Sequence, residues 1–185
     1  MNPIVAPVAK LLNILTLLVD AGIVVFLAGA LVATFSKPFK KWREGILKTI
    51  AHSCRLMAFI VALTAMSGSL FFSEVAKYTP CILCWWQRIF MYPQTLLIGL
   101  GIVKNDKQIA DYARGMSLVG MVIAGYHYYI QLGGNKFIPC STVGYSVDCA
   151  QRFTMEFGYI TIPMMSLTAF TAIFLLMTVF KRWAK

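Results

Sequence analysis

Marked by hydrophobic and polar positions, the chain is a succession of long apolar runs cut by short polar breaks. Five runs meet the ~20 apolar residues that a helix needs to cross about 30 Å of hydrocarbon. They fall near 11–35, 53–73, 83–103, 113–132 and 159–180, and each predicts a membrane-spanning helix. The breaks at 74–82 and 104–112 are brief, so the spans they join are expected to be antiparallel neighbours in a small bundle. Small residues within the runs, among them Gly22, Ala28, Gly68, Gly120 and Ala124, permit the close helix approach on which packing in lipid depends. One break is longer, from Gly133 to Gly158, and loops beyond about 12–15 residues are commonly functional. Within it Val147, Ala150, Phe153 and Phe157 recur at a spacing that suits a short interfacial helix over 147–157.

Composition agrees with the pattern. Of 185 residues 59% are hydrophobic and 13% charged, with a mean hydropathy of +0.72, whereas soluble domains carry about 45–50% and about 25%. This excludes a soluble globular protein and predicts an all-α membrane protein. A net charge of +10 would suggest a nucleic-acid partner if it were spread over a surface. It is not: Lys37, Lys40, Lys41, Arg43, Lys48 and Arg55, then Lys104, Lys107 and Arg114, then Lys181, Arg182 and Lys185 mark one membrane face. By the positive-inside rule that face is cytoplasmic, the N-terminus lies outside and the C-terminus inside. The segments 74–82 and 133–158 are then extracytoplasmic.

The first apolar run, preceded by Lys10 and reaching Ala28-Gly29-Ala30, has the outline of a secretory signal. Its length of about 25 residues exceeds the roughly 7–15 of a signal's apolar region, so it reads as a span. The organisation expected is residues 1–50, an N-terminal span and basic cytoplasmic loop, followed by 51–185, a four-helix bundle carrying the loop 133–158. Asp20 lies within the first span. A carboxylate in lipid is costly, so a partner is expected, either Lys10 or a helix–helix contact.

Four of five cysteines fall on or beside the extracytoplasmic segments, where an oxidising environment is expected. They form two pairs, Cys81 with Cys84 and Cys140 with Cys149, leaving Cys54 as an apolar packing thiol. A Cys-x-x-Cys pair serves as a redox dithiol, as half of a zinc site or as a structural element. Zinc is disfavoured: eight residues separate Cys140 from Cys149, His127 sits within a span and His52 lies on the other side. For redox chemistry, Pro80 places a helix start near Cys81, where free N–H groups and the helix dipole favour a thiolate. Arg88 follows Cys84 by one helical turn on the same face. An intramembrane cation either snorkels to the headgroups or serves function, here by stabilising the thiolate and polarising an acceptor's carbonyl oxygen. Tyr78, Trp85, Trp86 and Tyr92 suit an interfacial aromatic belt or, in part, a pocket for a flat aromatic ligand.

The run Pro80-Cys81-Ile82-Leu83-Cys84-Trp85-Trp86-Gln87-Arg88 resembles the signature of the DsbB family of disulfide-bond formation proteins, with Tyr92-Pro93 closest in flavour to its BdbC-type branch. Gly125-Tyr126-His127-Tyr128 and Gly158-Tyr159-Ile160-Thr161-Ile162-Pro163 extend the likeness over about 53–180. The resemblance implies a bacterial inner-membrane thiol:quinone oxidoreductase that reoxidises a soluble DsbA-like thioredoxin-fold partner and passes the electrons to ubiquinone or menaquinone. It implies that Cys140 forms the mixed disulfide with the partner, that Cys149 exchanges with Cys81, that Cys84 is released as the thiolate contacting the quinone, and that Arg88 attends the quinone. His127, toward the outer end of its span, is a candidate to hydrogen-bond the quinone or carry protons, or is simply a buried polar residue. The chain departs from the four-helix pattern in its additional N-terminal span. The rivals are a vitamin K epoxide reductase-like enzyme, in which the loop cysteines precede the Cys-x-x-Cys, and a membrane protein whose disulfides only staple its loops.

Overall fold

The computed structural model describes residues 3–135, 137, 140 and 148–183. Six α-helices stand among them: α1 (Val5–Phe35), α2 (Lys37–Ile50), α3 (Cys54–Leu70), α4 (Ile82–Val103), α5 (Ile109–Gln131) and α6 (Ile162–Trp183). A 3-10 turn, Ala51–Ser53, leads into α3, and a π-helical turn, Phe71–Val75, ends it. By length and composition α1, the continuous stretch Lys37–Val75 and α6 are apolar enough to cross a membrane. α4 and α5, of 22 and 23 residues, reach about 33 Å at 1.5 Å per residue. They are less apolar because they carry the polar side chains of the site, and these are turned inward.

α3 packs on α4 and α6, and α5 packs on the same two, closing an antiparallel four-helix bundle; α1 lies outside it against α6 and α2. The core is built from small residues and a few large ones, including Ala58, Ala62, Ile98, Ala124, Phe170, Ile173 and Met177. Glycine permits the closest approach: a Cβ on Gly120 would stand 2.3 Å from the Phe170 ring. One end of the bundle gathers the basic residues. There the Arg55 guanidinium donates to Asn105 Oδ1 at 2.9 Å and lies over Phe180, while Lys181 and Arg114 both pair with Asp111.

The stretch Lys37–Ile50, expected as loop, is helical. Ser36 is extended and Pro38 occupies the first turn, where its missing N–H costs nothing. Its polar and apolar positions alternate with helical period, giving a charged face beside Phe39, Trp42, Ile46 and Leu47, and Arg43 lies 4.8 Å over the Phe26 ring of α1. The short helix expected over 147–157 does not form: residues 148–157 are turns and extended chain with one bridge between Glu156 and Ile160, and Val147 lies outside the described residues. Backbone and side-chain contacts to α5 and to Tyr78 hold this segment instead.

α5 stops by an identifiable device. Gly133, at φ +97°, donates to the Ile130 carbonyl at 3.0 Å and Gly134 to the Tyr129 carbonyl at 3.0 Å, the two bonds of a Schellman closure. A Cβ on Gly134 would stand 2.3 Å from the Tyr129 ring. The turn sends the chain back over the end of the bundle toward Cys140.

Candidate active site

Cys81 begins α4. Its backbone is extended (φ −77°, ψ 172°), and its sulfur takes the place of the usual hydroxyl or carboxylate cap by accepting the Cys84 N–H at 3.4 Å. The Cys84 sulfur, one turn on, lies 3.0 Å from the Cys81 sulfur. Both are thiols in this structure, whereas Cys140 and Cys149 form a disulfide with a Cα–Cα distance of 5.8 Å. The two pairs meet. Cys81, Cys140 and Cys149 pack with Leu83 and Ile130 in one buried cluster, with Cys84, Ile123 and Tyr126 against it.

His127 joins them, and its hydrogen bonds fix its protonation pattern. Nε2 lies 3.1 Å from the Cys149 carbonyl oxygen, which can only accept, so Nε2 carries the proton. On the other side the Gln87 amide nitrogen, which can only donate, is 3.0 Å from Nδ1. Both neighbours therefore select one neutral tautomer, and His127 and Gln87 are 2% and 5% exposed. The Nε2–H also lies 3.5 Å from the Cys81 sulfur. Three donors thus converge on Cys81. The Cys84 thiol contributes most, with the His127 ring and the Cys84 N–H adding, and together they overcome burial and hold the Cys81 thiol at about 4, far below the ordinary cysteine range. Cys81 accordingly carries thiolate character at the start of α4.

The two sulfurs and a His127 nitrogen lie within 4.8 Å of one another, a spacing that would suit a soft metal. The imidazole, however, has no spare lone pair in this arrangement, since Nδ1 accepts from Gln87 and Nε2 is protonated.

Arg88 stands one turn along α4 from Cys84. Its Nε donates to Ser69 Oγ at 3.0 Å and its Nη2 to the Ser69 carbonyl at 3.1 Å; Tyr92 adds an O–H bond to the same Oγ at 3.2 Å. Its carbon Cζ lies 5.2 Å from the Trp85 ring centroid. No bond among the described residues engages Nη1. The guanidinium is therefore fixed by α3 and keeps donor capacity, rather than trailing to the surface.

Cys81, Cys84, Gln87, Arg88 and His127 all border one cavity of about 260 Å³ whose other walls come from α1, α3 and α6 and from the segments around Tyr78 and Phe153. Tyr78 stacks between Phe72 and Phe153, with centroids 5.9 and 4.7 Å away. It ties the segment after Cys149 to the end of α3. Gln131 donates to the Gln151 carbonyl at 3.0 Å and Arg152 Nε to the Gln131 carbonyl at 2.8 Å, fixing the same segment to α5.

The residues singled out for redox chemistry thus fall together: Cys81, Cys84, Arg88 and His127 around the cavity, and the Cys140–Cys149 disulfide beside Cys81. Two residues of the site were not singled out. Gln87 carries a signal, a polar amide one turn from a cysteine inside an apolar run. Ser69 carries almost none, since its value lies in being opposite Arg88. Cys54, as expected, is buried in the core of the bundle, its sulfur 3.5 Å from the Ile50 carbonyl oxygen.

The family model for disulfide bond formation protein DsbB matches residues 51–180. The chain is similar to probable disulfide formation protein C of Halalkalibacterium halodurans, 43% identical over 120 residues that cover 65% of this chain and 87% of that one. It is also similar to disulfide bond formation protein C of Bacillus subtilis, 40% identical over 126 residues, 67% of this chain and 89% of that one. No solved structure matches the chain significantly.

Proposed function

Because this chain belongs to the DsbB family of disulfide bond formation proteins, and is therefore a multi-pass membrane protein-disulfide oxidoreductase, we propose that it recharges a soluble thioredoxin-fold thiol oxidase outside the bacterial plasma membrane and delivers the electrons to a membrane quinone. In this reading the cysteine end faces outward and the basic end the cytoplasm. The observation that carries it is the single buried cluster containing both cysteine pairs, bridged by the His127 N–H.

The exchange balances as follows. A thiolate of the partner attacks Cys140, the Cys140–Cys149 bond breaks, and Cys149 leaves as a thiolate; the partner's second thiolate then takes the first sulfur, releasing an oxidised partner and a reduced Cys140. Cys149 attacks Cys81 of a Cys81–Cys84 disulfide and expels Cys84. Cys140 attacks Cys149, restores the loop disulfide and expels Cys81. The result is the state seen here, with the loop pair oxidised and the Cys-x-x-Cys pair reduced. Cys81 is a good leaving group because His127 and the N-terminus of α4 stabilise its thiolate.

When bound, a quinone supplies the two-electron, two-proton sink that returns Cys81 and Cys84 to a disulfide. The lining fits such a molecule: the Cys84 thiol and Arg88 guanidinium border a cavity that Leu12, Leu15, Val19, Ile60 and Val61 line with aliphatic carbon, interspersed with hydroxyl side chains such as Thr16 and Thr64. Arg88 would hold an acceptor oxygen as charge develops. Gln87 and the Cys149 carbonyl keep the His127 tautomer that serves Cys81.

The test is to isolate the protein in mild detergent, identify any quinone in its lipid extract, and mix the protein, its loop disulfide intact, with a reduced thioredoxin-fold oxidase whose second active-site cysteine is replaced by serine. The reading expects a co-purifying quinone and a trapped mixed disulfide on Cys140. Absence of both removes it.

A further inference from the structure

The similar proteins are covered over nearly nine-tenths of their length, yet the matched segments leave about a third of this chain outside. The family match begins at residue 51. α1 precedes it, and α1 nevertheless forms part of the cavity.

A helix lying in lipid beside a bundle turns its polar residues inward. In α1 these are Asn13, Thr16 and Asp20, spaced three and four apart and so on one face. Asn13 is 1% exposed. Asp20 accepts from Thr168 Oγ1 at 2.6 Å and from the Tyr159 hydroxyl at 3.0 Å, which answers the question its sequence position raised: a contact with α6 and the chain just before it satisfies the carboxylate, and Lys10 does not. About two turns earlier Leu12 lies over Gly68 of α3, where even a Cβ would stand 3.1 Å from its Cδ1. α1 is thus pinned to α6 at one point and to α3 at another.

Between the pins Leu12, Leu15, Thr16 and Val19 face the cavity that also holds Cys84 and Arg88, and Ile60, Val61 and Thr64 of α3 supply the facing wall. These α3 residues lie one to three turns from Ser69, so the space continues along the bundle away from the cysteines. Leu15 and Ile60 are 39% and 54% exposed, so the slot opens sideways onto the surface that meets lipid. Its volume of about 260 Å³ sits just below the ~300–1,000 Å³ of sites that enclose a whole small molecule. It accommodates a ring and the first carbons of a chain, and the rest of a long chain would leave through the open side.

We propose that the slot between α1 and α3 carries the hydrocarbon tail of the quinone, with the ring at Cys84 and Arg88, so that the N-terminal helix sets which tailed acceptor this chain takes. The inference rests on the quinone reading above and adds a passage to it. An apolar chain in the slot trades one hydrocarbon surrounding for another, so affinity comes from fit, and a side chain that fills the slot excludes methylenes directly.

The test uses two probes, a benzoquinone without a tail and the same ring bearing a ten-carbon chain. Binding to detergent-solubilised protein is read by quenching of Trp85 and Trp86, beside the ring position. Leu15→Phe and Ile60→Phe narrow the slot from opposite walls at partly exposed positions. Expected is a Kd for the tailed quinone raised about tenfold or more by either variant, because the added ring takes the space and the close contacts of some two methylenes, with the tail-less Kd unchanged and thereby reporting an intact fold. An unchanged tailed Kd, or equal weakening of both probes in both variants, overturns the assignment. If neither probe binds the unaltered protein, the quinone reading fails and the passage fails with it.

Discussion

Replacing His127 by Phe isolates the link between the two cysteine pairs. The substitution removes the N–H that reaches the Cys81 sulfur at 3.5 Å and the Cys149 carbonyl at 3.1 Å. Hydrogen bonds to charged groups contribute about 1.5–3 kcal/mol, and a contact this long to sulfur belongs at the lower end. At 1.36 kcal/mol per unit this raises the Cys81 value by roughly one unit. It does not restore the ordinary value, because the largest contribution, from the Cys84 thiol, survives. The sign follows from the lowered value: Cys81 is a thiolate at neutral pH and loses reactivity only as pH falls through about 4 in the unaltered protein. The assay is alkylation of Cys81 by iodoacetamide across pH, resolved by residue through mass spectrometry, with the loop disulfide intact. The variant's midpoint is expected about one unit higher. The Cys149 carbonyl loses its donor as well, at about 1–3 kcal/mol for a buried acceptor, so residues 148–153 should exchange amide hydrogens faster. An unmoved midpoint refutes the idea that His127 stabilises the thiolate; a midpoint at the ordinary cysteine value refutes the ranking of Cys84 above it.

Other substitutions test separate parts. Cys140→Ser and Cys149→Ser should each abolish oxidation of the partner while tail-less quinone still binds, measured by thiol titration and by quenching. Arg88→Ala should lower the rate of quinone reduction about 10²–10³-fold, as loss of one electrostatic donor does elsewhere; Arg88→Lys, which keeps charge but not the two-pronged hold on Ser69, should recover part of it. Gly120→Ala forces a methyl to within 2.3 Å of Phe170 and should cost about 1–3 kcal/mol, seen as a lower thermal midpoint in detergent with the cysteine chemistry retained.

The membrane bundle was legible because five long, mainly apolar runs are separated by polar breaks, and the start of α4 because Pro80 and a cysteine mark it. Cys81, Cys84 and Arg88 were legible as neighbours because one helix places them a turn apart. What sequence left open depends on contacts between helices. Which partner satisfies Asp20 is decided by Thr168 and Tyr159, some 140 residues away along the chain. The surroundings of Cys81 are another case: α4 alone shows Arg88 near Cys84, whereas the His127 N–H that reaches the Cys81 sulfur arrives from α5. The stretch 148–157 misled because its apolar spacing suits a helix in isolation, while in the fold Phe153 is taken up by stacking on Tyr78. Lys37–Ile50 reads as a loop because its charges set topology, yet the same charges lie on one side of an amphipathic helix.

The most direct measurement is anaerobic: purified protein, excess quinone and a reduced thioredoxin-fold oxidase, with quinol and partner disulfide both quantified over time. One quinol for each partner disulfide over many turnovers, and in the Cys84→Ser variant no quinol and at most the single partner disulfide that the loop pair itself can make, is the predicted result. Sustained partner oxidation without quinol, or quinol formation that persists in Cys84→Ser, would contradict a path that runs from the loop disulfide through Cys81 and Cys84.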